Sequence, residues 1–181
     1  MPRWAKMKKS LCYLTASISA VLFAGNIYAA DSVNINITGR VIASPCTTLN
    51  GGSDALNVDL GQSLQASSFE GAGSGSAMKT FDLPVTGCPA STTNVKVTFT
   101  GNPDGTDATL WANNAAQAAA NTAVELSQQS TGAILSNNSS LIGAVEEGNT
   151  TFKLQARVYS KAGKVMPGDV SSAIVASFEY Q

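Results

Sequence analysis

The sequence DVSSAIVASFEYQ, residues 169–181, alternates between apolar and polar residues along most of its length. Five apolar residues lie on even-numbered positions, and they are Val170, Ile174, Ala176, Phe178 and Tyr180. A period of two is typical of a β-strand with one buried face. Ser172, Ala173 and Val175 interrupt the pattern and leave the register of this strand open. We expect the strand to run to the last residue, which indicates a structural purpose or a partner for this end.

A second alternating stretch lies near the other end of the chain, at residues 33–41. Its odd-numbered positions hold Val33, Ile35, Ile37, Gly39 and Val41, and the positions between them hold polar residues. This pattern also predicts a strand with one buried face. Pro45 should end the strand, because proline has no amide proton for the next hydrogen bond of a sheet.

Several stretches between these two predict further short strands. The alternating ones are Leu56/Val58/Leu60, Phe81/Leu83/Val85, Val95/Val97/Phe99, Val124/Leu126 and Phe152/Leu154/Ala156/Val158, and Ile134–Leu135 is a shorter candidate. Residues 62–78 predict an irregular connection with one short helical turn, and 115–120 predicts a short alanine-rich helix. About seven short strands joined by polar turns, without an amphipathic helix, favour an all-β sandwich.

The composition excludes several classes of function. The chain contains no histidine, which removes Ser-His-Asp and Cys-His catalysis and the commonest metal ligand. From residue 30 onward the chain contains seven basic and twelve acidic residues, so no basic patch for nucleic acid is expected. The adjacent carboxylates Glu146 and Glu147 predict a solvated turn beside Gly148, and Asn102–Asp107 predicts a surface turn without the spacing of a calcium loop. We therefore expect neither an enzyme nor a cofactor.

The first 29 residues have the layout of a cleavable export signal. A basic start is followed by an apolar stretch from Leu11 to Ala24, and the segment Asn26-Ile27-Tyr28-Ala29 precedes the expected cleavage after Ala29. The apolar stretch is shorter than the roughly 20 residues that span a bilayer. We expect removal of residues 1–29 and export of the remainder.

Two cysteines remain after such a cleavage, Cys46 and Cys88. In an oxidising compartment an even pair is expected to form a disulfide. A metal site would need more soft ligands, and a catalytic thiol would need a base.

Taken together, these features resemble the pilin subunits of chaperone–usher fimbriae, the type 1 pilus family, and above all its minor tip-adaptor subunits. The similarity rests on the alternating segment with Gly39, the Pro45-Cys46 step, Val58-Asp59-Leu60-Gly61, Phe81-x-Leu83 before Cys88, Phe152-x-Leu154-Gln155-Ala156-Arg157-Val158-Tyr159, the penultimate Tyr180, and Gly168, fourteenth from the end. It covers nearly all of the chain after the export signal.

The resemblance implies an incomplete immunoglobulin-like β-sandwich that lacks its last strand and carries an N-terminal donor-strand extension. Residues 30–43 would be the extension and residues 44–181 the pilin domain. The donor residues would be Val33, Ile35, Ile37, Gly39 and Val41, and the residues that bind a strand or a chaperone would be Gly168, Ile174, Ala176, Phe178, Tyr180 and Gln181. A β-bulge is the other interpretation of Gly39.

The implied function is that of a structural subunit that polymerises by donor-strand exchange and supports adhesion. Its implied partners are a periplasmic pilus chaperone, an outer-membrane usher and neighbouring subunits, on the route through the periplasm to a surface fimbrium. A minor adaptor is the expected position, and a major rod pilin is the alternative. A different class, a secreted carbohydrate-binding sandwich, would place Trp111, Tyr159 or asparagine-rich turns against a sugar.

Overall fold

The structure, a computed structural model, describes residues 33–181. The predicted export signal, residues 1–29, and the start of the predicted extension lie outside the described residues. The chain divides into two units, Met1–Gly39 and Arg40–Gln181, and the second contains all the strands found in the described part. Within residues 33–181, no helix is long and apolar enough to cross a membrane.

The first sheet contains six antiparallel strands. Its long members are β3 (Lys79–Thr86), β6 (Ala123–Gln128) and β8 (Asn149–Ser160), and its two-residue members are β1 (Thr48–Leu49), β2 (Ser74–Gly75) and β5 (Trp111–Ala112). The strand order is β1-β3-β8-β6-β5, and β2 pairs with β8. The central strand β8 is twelve residues long and has a neighbour on both sides, β3 and β6.

The second sheet contains three antiparallel strands in the order β7-β4-β9, namely β7 (Ser140–Ala144), β4 (Asn94–Gly101) and β9 (Ile174–Tyr180). The two sheets pack their apolar faces together. The alternating residues predicted to point inward form this core, and its members include Leu83, Val85, Val95, Val97, Phe99, Val124, Leu126, Phe152, Leu154 and Ala156. The fold is therefore the all-β sandwich that the sequence predicts.

Trp111 belongs to the core and not to a binding surface. Its side chain has no exposed area, and its indole Nε1 donates a hydrogen bond to the carbonyl oxygen of Leu135 at 2.8 Å. A buried tryptophan with its only donor in use offers no platform to a sugar. Trp111 is therefore a core residue, and the alternative in which it would contact a sugar does not hold.

A disulfide joins Cys46 to Cys88, as expected, with their Cα atoms 4.0 Å apart. It links the chain just after the predicted extension to the residues that follow β3. Next to it, the amide of Thr47 donates to the carbonyl oxygen of Gly87, and Thr92 Oγ1 donates to the carbonyl oxygen of Ser44. Residues 44–47 are thus fixed to the sandwich.

Several sequence predictions of local structure need correction. Residues 33–41 and 56–60 alternate but form no strand, because no strand of the described chain pairs with them. The predicted helix at 115–120 consists of turns, which a parallel bridge between Ala118 and Asp169 interrupts. Ile134 forms only an isolated bridge, with Ser127, and the strand β7 was missed.

Two predicted turns are confirmed. Glu147 and Gly148 both have positive φ, 49° and 77°, and Glu146 and Asn149 exchange backbone hydrogen bonds of 2.9 Å across them. This is the geometry of a two-residue hairpin turn, with Glu146 and Glu147 exposed. The segment 102–107 is also a turn, in which Asp104 Oδ1 accepts hydrogen bonds from the amides of Thr106 and Asp107, and Pro103 forms an isolated bridge with Trp111.

Candidate functional site

The strand β9 forms an edge of the second sheet. It pairs with β4 on one side, in a register that places Phe178 opposite Val97 and Ala176 opposite Phe99. In the described part of the chain, no strand pairs with its other side. An edge strand presents a row of free backbone donors and acceptors, which suits it to pair with an added strand.

A groove of about 800 Å³ lies beside this edge. One wall contains residues 56–62 and Leu64, and the other contains residues 168–172, Ile174 and Ala176. Core residues of both sheets form the floor, and they are Phe81, Leu83, Phe99, Val124, Leu126, Leu154, Ala156 and Val158. The groove therefore opens directly onto the hydrophobic core.

The core-facing residues of β9 are only partly covered. Ile174, Ala176, Phe178 and Tyr180 are half-buried and pack against the core, while the residues between them are exposed. Ile174 and Ala176 also line the groove, whereas Phe178 packs against Phe152 with ring centroids 6.5 Å apart. Burial raises the pKa of the Tyr180 hydroxyl. In a complete sandwich such positions would be fully buried.

Gly168 and Gln181 have structural contacts of their own. A side chain at Gly168 would meet the backbone nitrogen of Ala119 at 2.5 Å, so only glycine allows this close approach of two backbone segments. Gln181, directly after β9, exchanges two backbone hydrogen bonds with Asn94. Each residue donates its amide proton to the carbonyl oxygen of the other. The structure thus brings Gly168 into the groove wall and pairs Gln181 with the end of β4.

The opposite wall of the groove ends in a turn that Asp59 stabilises. Its Oδ1 accepts hydrogen bonds from the amide of Gly61, at 2.9 Å, and from Nε2 of Gln62, at 2.8 Å. These hydrogen bonds lower the pKa of the Asp59 carboxyl. Gly61 has φ of 117°, a conformation that favours glycine. The turn therefore requires both the aspartate and the glycine of Val58-Asp59-Leu60-Gly61. The alternation of Leu56, Val58 and Leu60 was the signal for this wall, but it was interpreted as an ordinary strand.

One polar atom in the groove wall has no partner. The hydroxyl of Ser172 is buried and is the one buried side-chain polar atom of the described residues that makes no hydrogen bond. An unsatisfied buried polar group costs about 1–3 kcal/mol. This observation agrees with a groove that is incomplete as it stands.

The predicted donor residues lie in a fully solvated segment. Val33, Ile35, Ile37 and Val41 are 83%, 80%, 90% and 99% exposed, and Ile42 is 73% exposed. No atom would lie within 4 Å of a side chain added at Gly39. Because exposed apolar side chains are unfavourable in water, a segment with this pattern is suited to burial in a partner.

The sandwich with an open edge beside an apolar groove defines an incomplete immunoglobulin-like domain, the class of fold found in pilus subunits. The family model described as "Fimbrial protein" matches residues 35–181. The chain belongs to the fimbrial protein family.

Individual relatives agree with this assignment. The chain is 34% identical over 174 residues to the S-fimbrial adhesin protein SfaS of Escherichia coli O6:K15:H31, covering 95% of this chain and 98% of SfaS. It is 32% identical over 170 residues to the protein FimG of Escherichia coli K12, covering 93% and 95%. The crystal structure of the P pilus rod subunit PapA has a similar fold, with a TM-score of 0.62 at 21% identity over 76% of this chain and 100% of that one.

These findings confirm the resemblance to chaperone–usher fimbrial subunits and the immunoglobulin-like fold. The chain is a non-enzymatic structural subunit of a surface fimbrium.

Proposed function

We propose that this subunit polymerises by donor-strand exchange. Residues 33–41 enter the groove of one neighbouring subunit. The groove beside β9 receives the corresponding segment of a second neighbouring subunit. The observation that carries the proposal is the groove of about 800 Å³, which opens onto the core beside an unpaired strand edge. Strand addition supplies main-chain hydrogen bonds along the edge and side chains for the groove.

The donor segment has enough apolar surface for a long-lived joint. Val33, Ile35, Ile37 and Val41 are at least 80% exposed in this structure. Burial of each side chain contributes roughly 1.5–3 kcal/mol, which amounts to about 6–12 kcal/mol before the cost of ordering the segment. Backbone hydrogen bonds to β9 and a partner for the Ser172 hydroxyl would add to this free energy.

The same groove explains why a chaperone would be needed before assembly. A subunit with an apolar groove and an open edge would aggregate if it were released alone. We propose that a periplasmic chaperone covers the groove during transit, that Gln181 lies at the chaperone contact, and that an outer-membrane usher receives the complex. Ile174, Ala176, Phe178 and Tyr180 would then contact first the chaperone strand and later the donor strand.

Within the fibre we propose the position of a minor adaptor, on the basis of the short extension at residues 30–43. A major rod subunit is the alternative. Counting the copies of this chain in isolated fimbriae by quantitative mass spectrometry separates the two. An adaptor is present in few copies per fibre, and a rod subunit would outnumber all other components.

The test of donor-strand exchange is the melting temperature of the chain from Ser44 to Gln181 with and without a peptide of residues 30–43. With the peptide at about a thousandfold over its Kd, we expect the melting temperature to rise by about 10–20 °C. A matched peptide with Ile35→Asp and Ile37→Asp should have no effect, because a charge cannot enter an apolar groove without a partner. A high melting temperature that neither peptide changes would show that the sandwich is already complete.

A further inference from the structure

A second cavity, of about 370 Å³, lies away from the groove in the same unit. Three segments form it: the irregular stretch before β5, the start of β6 and the end of β8. Asp104 and Leu110 line it from the first segment, Asn121 from the second, and Tyr159 and Lys161 from the third. The fimbrial fold and the proposed strand exchange make no use of it.

Hydrogen bonds connect the walls of this cavity without any ligand. The Lys161 ammonium donates to Asp107 Oδ2 at 2.8 Å, which joins the first segment to the third. Asn121 Nδ2 donates to the carbonyl oxygens of Gly163 and Lys164, at 3.3 and 3.1 Å, which joins the second to the third. A ligand would therefore meet a preformed site, and preformed sites lose less free energy to ordering on binding.

The formal charges of the cavity lining balance each other. Among the lining residues, Asp104 is the single acid and Lys161 is the single base. Asp107 is ionised at neutral pH, and it accepts a hydrogen bond from one of the three N–H donors of Lys161, which lowers the pKa of the Asp107 carboxyl to about 2. A lining without net formal charge is suited to an uncharged ligand.

Acceptor groups and an aromatic ring remain free in the cavity. Asp104 uses Oδ1 to accept hydrogen bonds from the amides of Thr106 and Asp107, at 2.9 and 3.0 Å. Within residues 33–181, the second carboxylate oxygen of Asp104, the amide oxygen of Asn121 and the hydroxyl of Tyr159 make no hydrogen bond.

The ring of Tyr159 is held in place from one side. The Arg157 guanidinium carbon lies 5.0 Å from its centroid, and Arg157 itself donates two hydrogen bonds to Glu125 Oε2, at 3.1 and 2.8 Å. Glu125 is buried, so this pair cannot easily rearrange. Tyr159 is thus a half-buried, oriented aromatic side chain in the wall of a polar cavity.

We propose that this cavity binds a hexose residue of a neutral glycan. The sugar hydroxyls would donate to the free oxygens of Asp104 and Asn121, and a C–H face of the sugar ring would pack on Tyr159. Hydroxyl-rich ligands supply the donors that these acceptors need, and an aromatic ring is suited to the apolar face of a sugar. The volume of the cavity lies at the lower end of the range of about 300–1,000 Å³ for small-molecule sites, as a single hexose requires.

The experiment is an amide chemical-shift titration of the exported chain, held at a concentration at which it stays monomeric, with methyl glycosides of galactose, glucose, mannose and N-acetylglucosamine. At least one glycoside should shift the amides of residues 104–110, 121–123 and 159–162. Tyr159→Ala should weaken binding of that glycoside about tenfold. Asp104→Asn should weaken it by a similar factor, because asparagine keeps the acceptor for the Thr106 amide but replaces the free acceptor with a donor.

Asp82→Asn is the matched control, since Asp82 lies on β3 in an exposed ion pair with Lys153 outside the cavity. Its affinity for the glycoside should equal that of the original chain. The proposal is overturned if no glycoside shifts these amides, if the shifts lie elsewhere, or if Asp104→Asn binds normally with an unchanged melting temperature. The result is independent of donor-strand exchange, which uses the groove.

Discussion

Residues 152–158 of β8 and residues 33–41 have the same alternation of apolar and polar side chains but opposite environments. In β8 the apolar residues Phe152, Leu154, Ala156 and Val158 are buried, and the strand is paired on both sides. In residues 33–41 the corresponding side chains are exposed, and no strand forms. The alternation defines which face is apolar, whereas the presence of a partner decides whether a strand forms.

The strand β9 lies between these extremes. It is paired on one side only, and its apolar residues are half-buried. One edge is complete and the other faces the groove. The three segments therefore represent complete, partial and absent pairing of one sequence pattern within a single chain.

Truncation of one residue from each extreme is the strongest test of this comparison. Phe152→Ala should reduce the free energy of unfolding by about 3–5 kcal/mol, because it leaves a cavity where the ring packs against Phe178. Ile37→Ala should change it by less than about 0.5 kcal/mol, because the side chain is exposed. Urea unfolding of the exported chain, at a concentration at which it stays monomeric, measures both changes in the free energy of unfolding. An equal loss from the two variants would show that residue 37 is buried in its own domain.

Removal of the disulfide tests the link between the extension and the sandwich. Replacement of Cys46 and Cys88 by serine should reduce the free energy of unfolding by about 4 kcal/mol, because the bond closes a loop with a sequence separation of 42 residues. Chemical denaturation under non-reducing conditions measures the loss. Addition of a reductant should bring the original chain to the stability of the double variant and leave that variant unchanged.

Gly168→Ala tests the groove wall. The added methyl group would meet the backbone of Ala118 and Ala119, and one of the two segments must move. We expect a loss of about 1–3 kcal/mol in the free energy of unfolding. Gly105→Ala is the control, because nothing lies within 4 Å of its added methyl group. If Gly168→Ala unfolded at the same denaturant concentration as this control, the close approach would not be needed.

The smallest expected effect is the pH dependence of the Asp107–Lys161 pair. The pKa of Asp107 is lowered from 3.8 to about 2 in the folded chain, chiefly by the hydrogen bond from Lys161. The stabilisation is therefore present above pH 3.8 and is lost as the pH falls through about 2. The melting temperature of Asp107→Asn should lie slightly below that of the original chain at neutral pH, and the difference should disappear in acid.

The fold was predictable where each strand has its partner in the same chain. The alternating residues at Phe81–Val85, Val95–Phe99 and 152–158 form β3, β4 and β8. Each of these strands pairs with another strand of this chain and packs its apolar side chains in the core. The strand β7 was not predicted because it is short, contains Gly143 and leaves its middle residue, Ile142, exposed. The alanine-rich stretch 115–120 failed to form a helix because a backbone bridge to Asp169 replaces the helical hydrogen bonds.

The candidate site was predictable in part. Alternation identified the inward-facing residues of β9, and family resemblance identified Gly168. The wall at residues 56–62 depends on tertiary placement that periodicity cannot show, because an unpaired wall and a paired strand have the same pattern. The second cavity was also beyond prediction, since it joins three segments that are distant in sequence.

The order of strands in the second sheet has a consequence for the time course of folding. β4 is the middle strand, and its contact with β9 joins Lys96 to Glu179, 83 residues later in the chain. In a chain that is exported from its N-terminus, β4 emerges first and lacks this partner until the following 83 residues have emerged. Throughout that delay the apolar face of Val95, Val97 and Phe99 lies next to an unpaired edge. A chain that stalls before β9 would therefore be an aggregation hazard, and the nascent chain needs protection until its last strand has emerged.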